Sequence, residues 1–266
     1  MTYTIPSYTV QPGSVYQPNP ISAGDFPVDF LASNVVGCWS TRQLLSTGGG
    51  NIIRGRDATT NEEDFTGSGY PAGVVALASG GNAFVPQLYD QSGNGNHATQ
   101  STAASQPKGV DAGSLIVDAS GRPVMEFGGS QSFAITKDLN IESLVLRIKT
   151  SDLTYIIGDS VGDGSTFMLA VSQGSPSVLY RNSGSLSYYV NGVLQSWANR
   201  GDAYTTLSTG NFLTLVITGL DLSLYAAQIS FFGYAGFQFS GQIALMAAFD
   251  KNLTQSEITQ LHNALA

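Results

Sequence analysis

From Phe84 to Phe249 the chain is a succession of short apolar runs separated by Gly, Ser and Asn. Phe84–Tyr89, Leu115–Val117, Pro123–Phe127, Leu144–Ile148, Tyr155–Ile157 and Phe167–Val171 come first. Val178–Arg181, Leu186–Val190, Val193–Trp197, Phe212–Thr218, Tyr225–Phe232 and Gln242–Phe249 follow. Each is rich in β-branched or aromatic residues and bounded by turn formers, which predicts a strand. Asn191-Gly192, between Tyr188-Tyr189-Val190 and Val193-Leu194, predicts a type I′ hairpin. Many short strands without alternating helices predict a sandwich, not a parallel α/β sheet.

Helical patterns lie at the edges of this region. Val35, Val36, Trp39, Gln43 and Leu44 trace a partly apolar stripe behind Asn34, so a helix is expected over 34–46, ended by Gly48-Gly49-Gly50. Ile52 to Asp57 reads as a strand, Asn61 to Asp64 as an acidic turn and Val74 to Leu77 as a short helix. At the C-terminal end, Thr254-Gln255-Ser256-Glu257 fits a capping box. Leu253 and Ile258 sit where a hydrophobic staple would place them. Ile258, Leu261 and Leu265 then share one apolar face.

Residues 1–30 stand apart from the rest, 31–266. Five of the ten prolines fall there: Pro6, Pro12, Pro18, Pro20 and Pro27. Proline fixes φ and removes a ladder donor, so an extended arm is expected. Tyr3, Tyr8, Tyr16 and Phe26 give it apolar anchors that a solvated linker would lack. The arm is expected to lie along a surface, either of its own domain or of a neighbouring subunit.

Composition narrows the function. Net charge is −8 and only 11% of residues are charged. The 11 Lys and Arg are scattered rather than clustered, which argues against nucleic acid as a partner. Low charge with abundant Ser, Thr, Asn and Gly suits an extracellular or virion β protein. Cys38 is the single cysteine, so no internal disulfide forms. Met1 to Pro6 shows neither a basic nor an apolar leader region, so no signal peptide is expected. No run of 18 apolar residues appears, and no membrane insertion is expected.

The densest local chemistry is Tyr89-Asp90-Gln91-Ser92-Gly93-Asn94-Gly95-Asn96-His97-Ala98-Thr99-Gln100. Asp90, Ser92, Asn94 and Asn96 can bond nearby backbone, and Gly93 and Gly95 accept positive φ. His97 reads as a loop contact. The loop is therefore expected to be structural. Asp159-Ser160-Val161-Gly162-Asp163-Gly164 reads mainly as a turn, with calcium the one cofactor it could hold. Two histidines, His97 and His262, are too few for a metal centre or a triad. Exposed aromatics on strand ends suit sugar stacking. The candidates are Tyr188, Tyr189, Trp197 and Tyr204, with Tyr234 and Phe237 nearby; strand alternation should bury about half of them.

Gly37-Cys38-Trp39-Ser40-Thr41-Arg42-Gln43-Leu44-Leu45, then Ile53-Arg54-Gly55-Arg56-Asp57, then the 89–100 loop and Gln106-Pro107 resemble, in that order, the catalytic domain of arabinofuranosidase B. That domain is a concanavalin-like jelly roll. The order looks still more like its non-catalytic relatives in bacteriophage tail, fibre and other virion proteins. Gly241 to Asp250 with Leu253 to Ile258 is similar to the closing strand and helix of laminin-G-like jelly rolls. The resemblance implies an all-β jelly-roll sandwich with a short N-terminal helical region and a C-terminal helix. It also implies a virion structural protein: capsid decoration, fibre or tail. Other virion proteins would bind residues 1–30, and host-surface glycan would meet the domain. Alternatives are a carbohydrate-binding module outside a virion and a diverged glycosidase. A retaining glycosidase needs two carboxylates about 5–5.5 Å apart. The family's nucleophile lies in an Asp-Tyr-Gly-Asn-Ala-Glu-like run beside paired cysteines. Here the only glutamate after Glu142 is Glu257. Asp159, Asp163, Asp202 and Asp221 read as turn residues. No catalytic pair is nominated, and the chain is not expected to be an enzyme.

Overall fold

The structure, a computed structural model, describes residues 26–135, 139–153, 155–159, 167–170, 175, 186–221, 229–231, 233–234 and 237–266. Tyr3, Tyr8, Tyr16, the expected Val178–Arg181 strand and the Ser160–Gly164 part of the calcium candidate lie outside those residues. So do the side chains of Asp159, Tyr234 and Phe237.

The fold is an all-β jelly-roll sandwich built on antiparallel pairings. Its hub is the 13-residue strand Phe237–Phe249. One edge of this strand pairs with Met125–Gly128 near its start and with Val35–Ser40 near its end. The other edge runs along Ser143–Leu153. From Ser143–Leu153 the sheet continues to Phe212–Thr218, Ser187–Val190 and Val193–Leu194. From Met125–Gly128 it continues to Lys108–Asp111, Ala83–Leu88, Asn51–Asp57 and Glu62–Thr66. Ala98–Thr99 links Ala83–Leu88 to Phe133–Ile135. That strand leads on to Ile229–Phe231, Tyr155–Asp159 and Phe167–Ala170.

Alternation along the strands sets which side chains meet. Leu144, Leu146 and Ile148 face the main core, and Arg147 and Lys149 face outward. The main core brings Trp39, Phe127, Phe133, Phe231 and Phe239 together from both layers. Trp39 meets Phe231 with centroids 6.3 Å apart, and Phe127 meets Phe133 at 6.1 Å. Each fully buried Leu, Ile or Phe contributes about 1.5–3 kcal/mol over the exposed state.

Among the described residues, three α-helices finish the domain: α1 (Tyr70–Ala78), α2 (Arg200–Leu207) and α3 (Gln255–Leu265). The capping box of α3 is present: Thr254 Oγ1 accepts the Glu257 amide, and Glu257 accepts the Thr254 amide at 2.8 Å. Leu253, Ile258, Leu261 and Leu265 are buried in a second core with Val28, Leu31, Cys38, Val145 and Val216. This core lies on the outer face of the sheet. The expected hairpin turn is also present, with Asn191 at φ 51° and Gly192 at φ 80°. Gly192 O accepts from Gln255 Nε2 at 2.7 Å, so the hairpin tip rests on α3.

Several expectations are corrected. The helix expected over 34–46 is a 3-10 turn at Asp29–Asn34 followed by the strand Val35–Ser40. That strand is buried on both sides, Trp39 in the main core and Cys38 beneath α3. Two-sided burial removes the alternation that marks a strand and leaves a run that mimics a helical stripe. The acidic turn at Asn61–Asp64 is the start of strand Glu62–Thr66, tied to its neighbour through Arg54. α2 was not expected. It is polar, with only Ala203 and Leu207 buried, and is started by Asn199, whose side chain accepts the Asp202 amide.

Candidate functional site

The loop after strand Ala83–Leu88 is wired to the edge of strand Val35–Ser40 that faces away from Phe237–Phe249. Asp90 is 8% exposed, and both its carboxylate oxygens are engaged. Oδ1 accepts the amides of Cys38 and Ser92, both at 2.9 Å. Oδ2 accepts Ser92 Oγ at 2.7 Å and the Asn96 amide at 3.1 Å. The Gln91 amide donates to Cys38 O at 2.8 Å. Gln91 also bridges the following turn, accepting from the Leu44 amide and donating to Arg42 O. Asn94 and Asn96 donate to Val36 O, at 3.3 and 2.8 Å. The Trp39 indole donates to Asn96 O at 2.6 Å. His97 Nδ1 accepts the Asp90 amide at 3.1 Å, and its ring meets Tyr89 edge-on. Gly93 and Gly95 take φ 87° and 78°. These atoms satisfy backbone groups that a neighbouring strand would otherwise satisfy. Burial, and then the Asp90 charge, push the Cys38 thiol up, so it stays protonated and inert.

The two arginines of the Ile53-Arg54-Gly55-Arg56-Asp57 run have separate tasks. Arg54 makes a bidentate pair with Asp64, at 2.7 and 3.0 Å, and donates to Tyr89 Oη at 2.9 Å. The hydrogen bond from Arg54 holds the Asp64 carboxyl below its ordinary range. Arg56 donates to Gln106 Oε1 at 2.6 Å and lies over the Phe84 ring. Gln106 donates to Gln100 O, and Gln100 to Ser132 O. The motifs that looked separate in sequence are thus one hydrogen-bonded frame.

The aromatic candidates are divided by strand alternation. Tyr188 is 6% exposed and stacks on Trp197 with centroids 5.3 Å apart. Trp197 is half-buried and donates to Thr206 Oγ1 on α2 at 2.9 Å. Tyr204, also half-buried, packs against the main core, whereas Tyr189 packs against the core beneath α3. Tyr188 and Trp197 are therefore joined, with Trp197 tied to α2, and Tyr189 lies on the opposite face.

A site absent from the sequence reading lies on the outer face, beyond the area that α3 covers. Cross-strand register places Lys108 opposite Glu126, Glu126 opposite Gln242, Gln242 opposite Lys149 and Lys149 opposite Phe212. Directly opposed residues share a face with Cβ atoms about 4.5–5.5 Å apart. A shallow depression of about 250 Å³ opens beside the row, lined by Glu126, Gly128, Lys149, Thr150, Gly210 and Gln242. Lys108 holds Asp111 at 2.8 Å, and that bond, with the Glu126 charge adding, raises its pKa. Among the described residues, the side chains of Glu126, Gln242 and Lys149 make no hydrogen bond. Glu126 is from one strand, Gln242 and Lys149 from two others far along the chain. Only the sheet register joins them, so no local motif could have marked the site.

Most other described acids are held by structural contacts. Asp118 holds Arg122 at 2.8 Å, Glu257 holds Lys251 at 2.7 Å, and Asp202 accepts the Ala198 amide at 2.8 Å. Among the described residues, no cluster of three or more His, Cys, Asp or Glu could hold a metal ion, and no helix is long and apolar enough to cross a membrane.

No family model matches this chain, and no curated protein matches it. Solved structures do match in fold. A GH54 α-L-arabinofuranosidase soaked with a cyclic sulfate inhibitor superposes with a TM-score of 0.56 at 12% identity. A mutant of a GH54 α-L-arabinofuranosidase soaked with 4-nitrophenyl α-L-arabinofuranoside gives 0.55 at 11%. An arabinofuranosidase complexed with arabinofuranosyl-α-1,2-xylobiose gives 0.56 at 12%. Each superposition covers 91% of this chain but 64% of the other. At that identity the likeness is one of fold: this chain has the concanavalin-like jelly roll of those enzymes.

Proposed function

We propose that this chain is a non-catalytic jelly-roll subunit of a bacteriophage virion, displayed on the capsid, a fibre or the tail. Residues 1–30 attach it to other virion proteins, and the domain meets host-surface glycans. The observation that supports this most is the engagement of the signature loop. Both Asp90 oxygens are tied to backbone and to Ser92, so the loop holds a scaffold rather than a substrate. Fold alone does not carry activity across to a distant relative. The resemblance to non-catalytic phage relatives and the proline-rich, aromatic arm support the virion location.

Mass spectrometry of purified particles tests the location: the chain is expected among virion proteins, and its absence overturns the reading. Deleting residues 2–25, which spares Val28 of the second core, tests the attachment. The shortened chain is expected to fold and to lose incorporation; full occupancy in particles would show that the arm is not the anchor.

The likeness to arabinofuranosidases favours one second reading, a diverged glycosidase. Turnover of 4-nitrophenyl α-L-arabinofuranoside by the purified chain would establish it. None is expected.

A further inference from the structure

We propose that Glu126, Gln242 and Lys149 form a binding site for one neutral sugar unit of a glycan, a deepening that rests on the adhesion reading above. Three polar side chains on three adjacent strands point to the same open face, and none is engaged in a hydrogen bond among the described residues. Hydrogen-bonding groups elsewhere on this domain are heavily engaged: Asp90, Gln91, Arg54, Arg56, Gln100 and Gln106 all have partners. Among the described residues, this row leaves three polar side chains available beside a depression.

The chemistry of the three groups selects the ligand. A carboxylate accepts from hydroxyls, an ammonium donates, and an amide does both. A polyol presents hydroxyls that donate and accept in turn, and so matches all three. Charge points the same way. Glu126 and Lys149 cancel, and Lys108 is already paired with Asp111. The pair therefore offers no net attraction to a charged sugar of either sign. The depression is open and shallow, about 250 Å³, with room for a single ring rather than for a long chain. Phe212, opposite Lys149, packs on Ile116, Val124 and Ala244 with the Arg147 guanidinium over its ring, and so closes the row at that end.

The test is titration of the full chain with neutral methyl hexopyranosides and pentofuranosides, and with sialyllactose, followed by NMR and calorimetry. At least one neutral glycoside is expected to bind in the millimolar range. Glu126→Gln and Gln242→Ala should each weaken it about tenfold or more with no change in melting temperature. Lys149→Met should weaken it as well. Unchanged affinity in these variants, or preference for sialyllactose, overturns the proposal. If no glycoside binds, the site is overturned, and adhesion of whole particles to host cells then decides the broader reading. Adhesion abolished by periodate treatment of the cells leaves glycan adhesion standing without this site; adhesion that survives periodate overturns both.

Discussion

The Asp90 carboxylate accepts the backbone amide of Cys38 at 2.9 Å across 52 residues of sequence. That bond, with the Gln91 amide on Cys38 O, gives the outer edge of strand Val35–Ser40 the pattern that a paired strand would supply. A carboxylate replaces one carbonyl of the absent strand. Because it has two oxygens, it fixes its own loop at the same time through Ser92 and Asn96.

Asp90→Ala removes an acceptor from four donors, at least one of them buried. Hydrogen bonds to charged groups are each worth about 1.5–3 kcal/mol, and a stranded donor adds its own desolvation. Relaxation of the loop toward water offsets part of this. The expected loss is about 1–3 kcal/mol, read as a lower urea midpoint with unchanged m-value.

Gly37 lies against the Trp39 indole, and a Cβ there would fall inside the ring. Gly37→Ala must displace an indole that is fully buried and bonded to Asn96 O. Overpacking of this kind costs about 1–3 kcal/mol. The chain has two tryptophans, so the measurement belongs in a Trp197→Phe background. A red-shifted Trp39 emission and a lower melting temperature are expected.

Thr254→Ala removes half of the capping box and should cost about 0.5–2 kcal/mol. Thr254→Ser should restore it. Hydrogen exchange at the Glu257 amide, which Thr254 Oγ1 accepts, should speed up in the alanine variant and recover in the serine one.

His262 sits on α3 with Nδ1 3.3 Å from Thr214 Oγ1. Burial, and then the positive charge of Arg147, lower its pKa below the ordinary value. The unfolded chain therefore binds a proton that the folded chain resists. Stability is full above pH of about 6.5 and falls as pH drops through the window beneath it. The loss should be smaller in His262→Gln, measured as melting temperature between pH 7.5 and 5.

Legibility in the sequence followed the range of the interactions. The capping box at Thr254 and the Asn191-Gly192 turn are local patterns, and both formed as read. Phe212–Thr218 was read with its true limits, since turn formers bound it on both sides. Val35–Ser40 was misread because both its faces are buried, which erases period two. α2 was missed because it presents two buried residues and no apolar stripe. In the signature loop, the sequence marked Asp90 and Ser92 as turn formers, but nothing local says that Cys38 is the partner. The row Glu126, Gln242 and Lys149 is set by register alone. A one-residue slip of Phe237–Phe249 would turn Gln242 into the core and Ile243 outward.

Strand Val35–Ser40 has no vacant ladder along the stretch that the 90–96 loop covers, and this bears on how copies of the domain can associate. Open strand edges recruit further strands and lead to fibres or exchanged segments. Here the recruiting groups of Val36 and Cys38 are occupied from within by Asp90, Gln91, Asn94 and Asn96. Many copies can then be crowded on one surface without zipping together through this edge. Contacts between copies along this edge would have to be made by side chains, whose geometry selects a partner in a way that a backbone ladder does not.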